Sequence, residues 1–195
     1  LMGCASQAAS LAALLSNRDP FLVAPIHQRG ELLRARQRLA RGTMSDHCVL
    51  VEAYEAWERA RWHCGADEEA MESFCLEFWL NHRTMLTARK VKSQLLDEMH
   101  EMGLPTEEGT SADRHGANRA MLKAVCASCL LPNLLQFKQN EQTSKKDKNN
   151  NDTKKWKFSN REDCQISMHP RSILSYVEDS HQHSSNSRQH TFACY

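Results

Sequence analysis

The sequence has no surplus of charge of either sign. Its 25 Lys and Arg residues face 24 Asp and Glu, a formal net charge of +1. Global charge therefore does not carry the chain onto nucleic acid or a lipid surface, and any basic patch must be local. The opening LMGCASQAASLAALLS is apolar but too short to span a bilayer, and no basic segment precedes it. It does not read as a signal peptide. The expectation is an intracellular protein with no membrane contact, its compartment undecided. Leu1 ahead of Met2 also suggests a chain cut from something longer. Eight cysteines stand at positions 4, 48, 64, 75, 126, 129, 164 and 194, but only Cys126 and Cys129 form a CxxC. A zinc site needs two such clusters, so no metal is expected. Most of the cysteines read as small buried hydrophobes. No Gly-rich phosphate loop, GxSxG elbow, HExxH or internal repeat is present, and no catalytic residue is expected.

What is there is helical periodicity. Residues 5–16 are Ala/Leu-rich. SNRDPF then stops that helix, because proline restricts both itself and the preceding residue. FLVAPI reads as an extended, partly buried connector. A second helix is predicted over 28–41, with Leu32, Ala35 and Leu39 on one stripe and Arg34, Arg38 and Arg41 on another. Gly42 ends it.

The next helix poses a chemical question. Asp46-His47 opens SDHCVLVEAYEAWERAR, where an acid beside a histidine invites a catalytic or metal-binding reading. Leu50, Ala53, Tyr54, Trp57 and Ala60 recur at helical spacing, which predicts an amphipathic helix of about 15 residues. Ser45 or Asp46 then serves as its N-cap, and the acid suits the positive end of the helix dipole. No partner constellation accompanies the pair, so capping explains Asp46. His47 reads as neutral and packed.

Two more helices follow, over 67–80 and 82–102, the second capped by Asn81. Arg83, Arg89, Lys90 and Lys92 crowd the first half of the latter. GLPTEEGTSADRHG is a loop by composition, and a last helix covers about 117–130. Leu50, Tyr54, Trp57, Phe74, Phe78, Leu95 and Met99 are the expected core. The character then changes. QNEQTSKKDKNNNDTKK (139–155) is polar and repetitive, a flexible insertion by composition. WKFSNREDCQISMHPRSILSYV reads as a hairpin turning near 160–163. DSHQHSSNSRQH is another loop, and TFACY a final strand.

The ordered series LSNRDPF, SDHCVLVEAYEAWERAR, FCLEFWLNHRTML, VKSQLL, AVCASCLLPNLLQF and ISMHPRSIL resembles the C-terminal region of DEAH-box (DExH) ATP-dependent RNA helicases. The resemblance covers roughly 1–137 and 156–195, and it rests on the series rather than on any single motif. It departs from the family pattern at Ser128 to Leu131 before Pro132-Asn133, and at Arg171, which separates His169-Pro170 from Ser172.

The resemblance implies a mainly α fold, a helical bundle followed by a small OB-like β region. It implies a helicase-associated, ratchet-like domain over 1–118 and a partial OB-like region over 119–195. A closed five-stranded barrel needs more chain, so the β region is expected to be incomplete. The implied partners are single-stranded RNA and RecA-like motor domains, in cis or in trans. ATP and Mg are implied only for a parent helicase, because the GKT loop and DExH acid of the motor are not in this sequence. The chain alone is expected to be inactive as an ATPase.

The implied RNA-binding residues are Arg34, Arg38, Arg41, Arg83, Arg89, Lys90, Lys92 and His169. Cations on helix faces contribute sequence-independent affinity for phosphate. The same cations can equally form an ordinary solvated surface, and His169 can equally serve a turn. Trp57, Trp62, Phe78 and Trp79 can stack bases or fill a core. A helical protein-interaction adaptor, or a gene fragment that binds no RNA, remains the alternative.

Overall fold

Ser45 begins the central helix. Its extended backbone (φ −157°) turns its hydroxyl to accept from the Cys48 amide at 3.4 Å, and the helix runs over Asp46–Cys64. This N-cap satisfies one of the amides orphaned at a helix start. Asp67 caps Glu68–Glu77 through the Ala70 amide, and Asn81 caps His82–Glu101 through the Thr84 amide. In chain order the helices are α1 (Ala5–Leu15), α2 (Arg29–Ala40), α3 (Asp46–Cys64), α4 (Glu68–Glu77), α5 (His82–Glu101) and α6 (Arg119–Leu130). The computed structural model describes residues 2–65, 67–106, 111–130, 134–139, 156–159, 165–166, 169, 171–176 and 192–194. The protein is mainly helical. Among the described residues no helix is long and apolar enough to cross a membrane.

The chain divides into two units, Leu1–Val125 and Cys126–Tyr195. In the first, α3 packs against α1, α2 and α4, and α1 lies along α5. Val49, Val51, Ala53, Tyr54 and Trp57 of α3 are buried with Leu14, Leu80, Met85 and Leu122. The expected core needs correction. Tyr54 and Trp57 are buried, but Leu50, Phe74, Phe78, Leu95 and Met99 are only half-buried. A single layer of helices around α3 covers the inner edge of each apolar stripe and leaves its flank partly wet. Position 51, not 50, points straight inward.

The connector after α1 is held by long-range backbone pairing. Leu22 donates to the Trp79 carbonyl at 2.7 Å and Asn81 to that of Pro20 at 2.8 Å, on either side of the Phe21–Leu80 bridge. Phe21 and Ala24 are buried, while Val23 and Ile26 are exposed. The loop before α6 covers the start of α1. Cys4 provides no side-chain cap there, and Asp113 accepts from the Ser6 amide at 3.1 Å in its place.

In the second unit the backbone forms β1 (Leu134–Gln139), β2 (Trp156–Ser159), β3 (Gln165–Ile166) and β4 (Phe192–Cys194). All pairings are antiparallel, in the order β3-β2-β1-β4, with Phe137 opposite Phe158 and Phe158 opposite Ile166. β2 and β3 pair where the sequence places a hairpin. Its turn near 160–163, the insertion beyond Gln139, Pro132-Asn133 and the loop over 180–191 lie outside the described residues.

Candidate nucleic-acid interface

Asp46 settles the first chemical question. Ser45, not Asp46, is the N-cap, and the Asp46 carboxylate accepts from the Arg36 guanidinium at 3.3 Å. Arg36 is buried on α2 and lies 4.6 Å over the Phe21 ring. Its charge is thus held between an aromatic face and a carboxylate, which ties α2, α3 and the connector together. Burial pushes the His47 imidazole below its usual value of 6.5, against the raising influence of Asp46. A half-buried neutral histidine beside an acid that is already committed is a packing arrangement.

The predicted cations fall into distinct settings. On α2, Arg34 is exposed, and Arg38 donates to Glu77 at the end of α4 at 2.9 Å while lying 5.0 Å over the Phe78 ring. Arg41 leaves this stripe. It sits past the helix end in left-handed conformation (φ 46°), and its guanidinium reaches Glu52 at 3.7 Å. Glu52 is buried because Arg119 also binds it, at 2.6 Å, while holding Glu55 at 2.5 Å. Burial alone would lower the Arg119 pKa, but the two carboxylates raise it. This clamp joins the start of α6 to α3.

On α5 the four cations separate by helical angle. Arg89 and Lys92 turn toward α3, where Arg89 pairs with Glu58 at 3.2 Å and the Lys92 ammonium lies 5.2 Å from the Tyr54 ring centroid. Arg61 of α3 joins them, 5.8 Å over the Trp57 ring. Tyr54 donates to Glu58, and burial together with that acid pushes its hydroxyl pKa well up, so it stays protonated. Arg83 and Lys90, seven positions apart, share another face and are exposed. Among the described residues neither takes part in an ion pair.

Local α3/α5 packing therefore brings Arg61, Arg89 and Lys92 together. Arg61 was not among the predicted residues. Its signal was its place on the Tyr54-Trp57-Glu58 stripe of α3, which faces α5. Arg34 and Arg38 lie apart, along a groove with Gln37, Leu76 and Trp79. His169 belongs to the second unit. It is exposed, its Nδ1 accepts the Arg171 amide at 3.2 Å and its carbonyl the Ser172 amide at 2.9 Å. Those two bonds close a turn around an exposed imidazole.

Comparison with known proteins agrees with the resemblance seen in the sequence. The chain is 27% identical over 184 residues to the ATP-dependent DNA/RNA helicase DHX36 of Rattus norvegicus, covering 93% of this chain and 17% of that protein. It is 27% identical to the DExH-box ATP-dependent RNA helicase DExH1 of Arabidopsis thaliana over 89% of this chain and 16% of the relative. It is 32% identical to the ATP-dependent RNA helicase DHX29 of Mus musculus over 67% of this chain and 10% of the relative. No family model matches. The chain thus spans about a sixth or less of the relatives it matches.

Proposed function

We propose that this chain is an accessory RNA-binding module of DExH type, which grips single-stranded RNA against RecA-like motor domains supplied in cis or in trans. On this reading the helical unit is the helicase-associated, ratchet-like part. The four-stranded antiparallel sheet is the beginning of an OB-like region. ATP and Mg belong to the motor. The observation that carries the proposal is the α3/α5 face, where Arg61, Arg89 and Lys92 gather, with the exposed Arg83 and Lys90 on another face of α5. Helicase names among relatives matching about nine-tenths of the chain support it.

Filter binding of a labelled single-stranded RNA to the full chain at low salt tests it. Reversing Arg89 and Lys92 to Glu, or Arg34 and Arg38 to Glu, is expected to weaken binding to all sequences alike. No retention, or retention untouched by either reversal, would sink the proposal.

The rival reading is a protein-interaction adaptor. It draws on one observation, the apolar groove between α1 and the second half of α5, lined by Cys4, Ala8, Ala12, Leu95 and Met99. It becomes the leading reading if RNA is not retained.

A further inference from the structure

Three tryptophans in the helical unit have described surroundings, and they differ. Trp57 is fully buried, Trp79 is half-buried, and Trp62 is 86% exposed on the last turn of α3. An indole is costly to leave in water, since burial of a large apolar side chain is favourable. Single exposed apolar residues are nonetheless ordinary, so exposure alone decides nothing.

The surroundings of Trp62 decide more. Among the described residues it is the one exposed large hydrophobic on α3. One turn earlier on the same side stand Arg59, half-exposed and 3.9 Å from Glu55, and Glu58, which receives Arg89 from α5. Arg61 precedes it directly and lies over Trp57. The indole therefore rises from a charged surface in which arginine predominates. An apolar protein contact would want other exposed hydrophobics beside it. A flat π-face on a surface that carries Arg59, Arg61 and Arg89 instead suits a base whose phosphates lie nearby. The helix C-terminus, with its partial negative charge, would repel those phosphates if Arg59 and Arg61 were absent.

We infer that Trp62 is a base-stacking platform, at which an unpaired nucleobase of a single strand lies on the indole while Arg59, Arg61 and Arg89 hold the adjoining phosphates. This rests on the proposed RNA-binding reading and adds to it a contact with the base that is independent of backbone charge. It predicts little preference among base sequences, because every base has a π-face.

The experiment titrates the full chain, wild type and Trp62→Ala, with a short oligoadenylate and with an abasic strand of equal phosphate number. Tryptophan fluorescence and filter retention are the readouts. Oligoadenylate is expected to quench the wild type, and Trp62→Ala to lose most of that quenching. Trp62→Ala should also weaken oligoadenylate at least about fivefold, the lower end of what one stacked base contributes, and leave the abasic strand unchanged. Trp62→Phe, which keeps a ring, should fall between. The exposed position makes a folding defect in these variants unexpected, and circular dichroism checks it. If Trp62→Ala binds oligoadenylate like the wild type, stacking is wrong while cationic binding stands. Equal loss for both strands also overturns stacking. If the variant instead shifts sedimentation of the free chain with no effect on RNA, the indole serves self-association. If wild type retains neither strand, this inference and the proposed function fall together.

Discussion

Three single residues carry consequences that their neighbours define. Asp46 looks replaceable by asparagine if it only caps a helix, but Ser45 does that work and Asp46 faces the buried Arg36. Asp46→Asn removes the negative charge from the carboxylate that faces a mostly desolvated guanidinium. The expected cost is about 1.5–3 kcal/mol, the usual range for a hydrogen bond to a charged group. Ser45→Ala should cost about 1 kcal/mol. Urea denaturation measures both, and an asparagine variant as stable as wild type would return Asp46 to a plain surface role. His47 adds a pH dependence. Its folded pKa lies below the usual 6.5, with burial the main cause. The folded state therefore holds it neutral while the unfolded chain protonates first. Its contribution is fully present above the unfolded value and is lost as pH falls through the folded one. His47→Gln should flatten that part of the urea-midpoint profile, and a variant whose profile parallels wild type throughout would contradict the burial argument. Trp79 occupies the position after α4 where a helix usually places glycine. Its φ is 56°, with Leu80 donating to the Cys75 carbonyl and Trp79 to that of Leu76 in the Schellman pattern. Left-handed backbone costs a residue with a Cβ roughly 1–2 kcal/mol.

At the scale of elements, that strain and the core can be weighed against each other. Trp57 is fully buried, and its indole N–H donates to His82 Nδ1 at 3.1 Å, linking α3 to the first turn of α5. Trp57→Ala should cost on the order of 3–5 kcal/mol. Trp79→Gly loses a half-buried indole but recovers the backbone strain, so its cost should be clearly smaller. Thermal denaturation of the two variants side by side tests this, and equal losses would mean that the Trp79 side chain packs far better than its exposure indicates. The helices themselves were legible because caps, periodicity and stop signals coincide. Asn81 and Ser45 both lie where the sequence puts a cap, and Gly42 follows α2. Long-range partners were not legible. Nothing local announces that Asp113 caps α1 from 107 residues away, or that Arg119 clamps Glu52 and Glu55. Arg36 sits among arginines that all look solvated, and only the approach of α3 and Phe21 makes it a core group. Trp62 shares α3 with Trp57, yet helix packing ends before its turn. Of the candidate site, the cations of α5 were visible as a cluster. Their division into a pair facing α3 and a pair facing solvent depends on which side α3 occupies, and composition does not encode that.

For the whole molecule, the proposed function raises the question of how a chain of formal charge +1 would hold a polyanion. Long-range attraction is nearly absent, so affinity has to come from contacts, and contacts compete with partners inside the protein. Arg38, Arg41 and Arg89 are engaged by Glu77, Glu52 and Glu58. A phosphate drawn to any of these displaces or shares a carboxylate, and the exposed pairs Arg38–Glu77 and Arg89–Glu58 are weak enough to yield, whereas Glu52 is buried and also held by Arg119. Arg34, Arg83 and Lys90 stand exposed, and Lys92 leans on a ring rather than an acid. These four set the expected number of phosphate contacts at three or four. Each contact on a single strand releases counterions with a log–log slope of about −0.7, so retention should fall with salt at a slope of roughly −2 to −3. Filter binding of the full chain across a salt series measures it. Replacing Lys90 by Gln should reduce the slope by less than one contact's worth, because its charge still has near neighbours. Replacing Arg34, Arg83, Lys90 and Lys92 together should flatten it to the part that Arg59, Arg61 and Arg89 contribute. A slope far steeper than −3 would mean that the paired arginines abandon their carboxylates on binding, and the ion pairs on α2 and α5 would then be a latch that RNA opens.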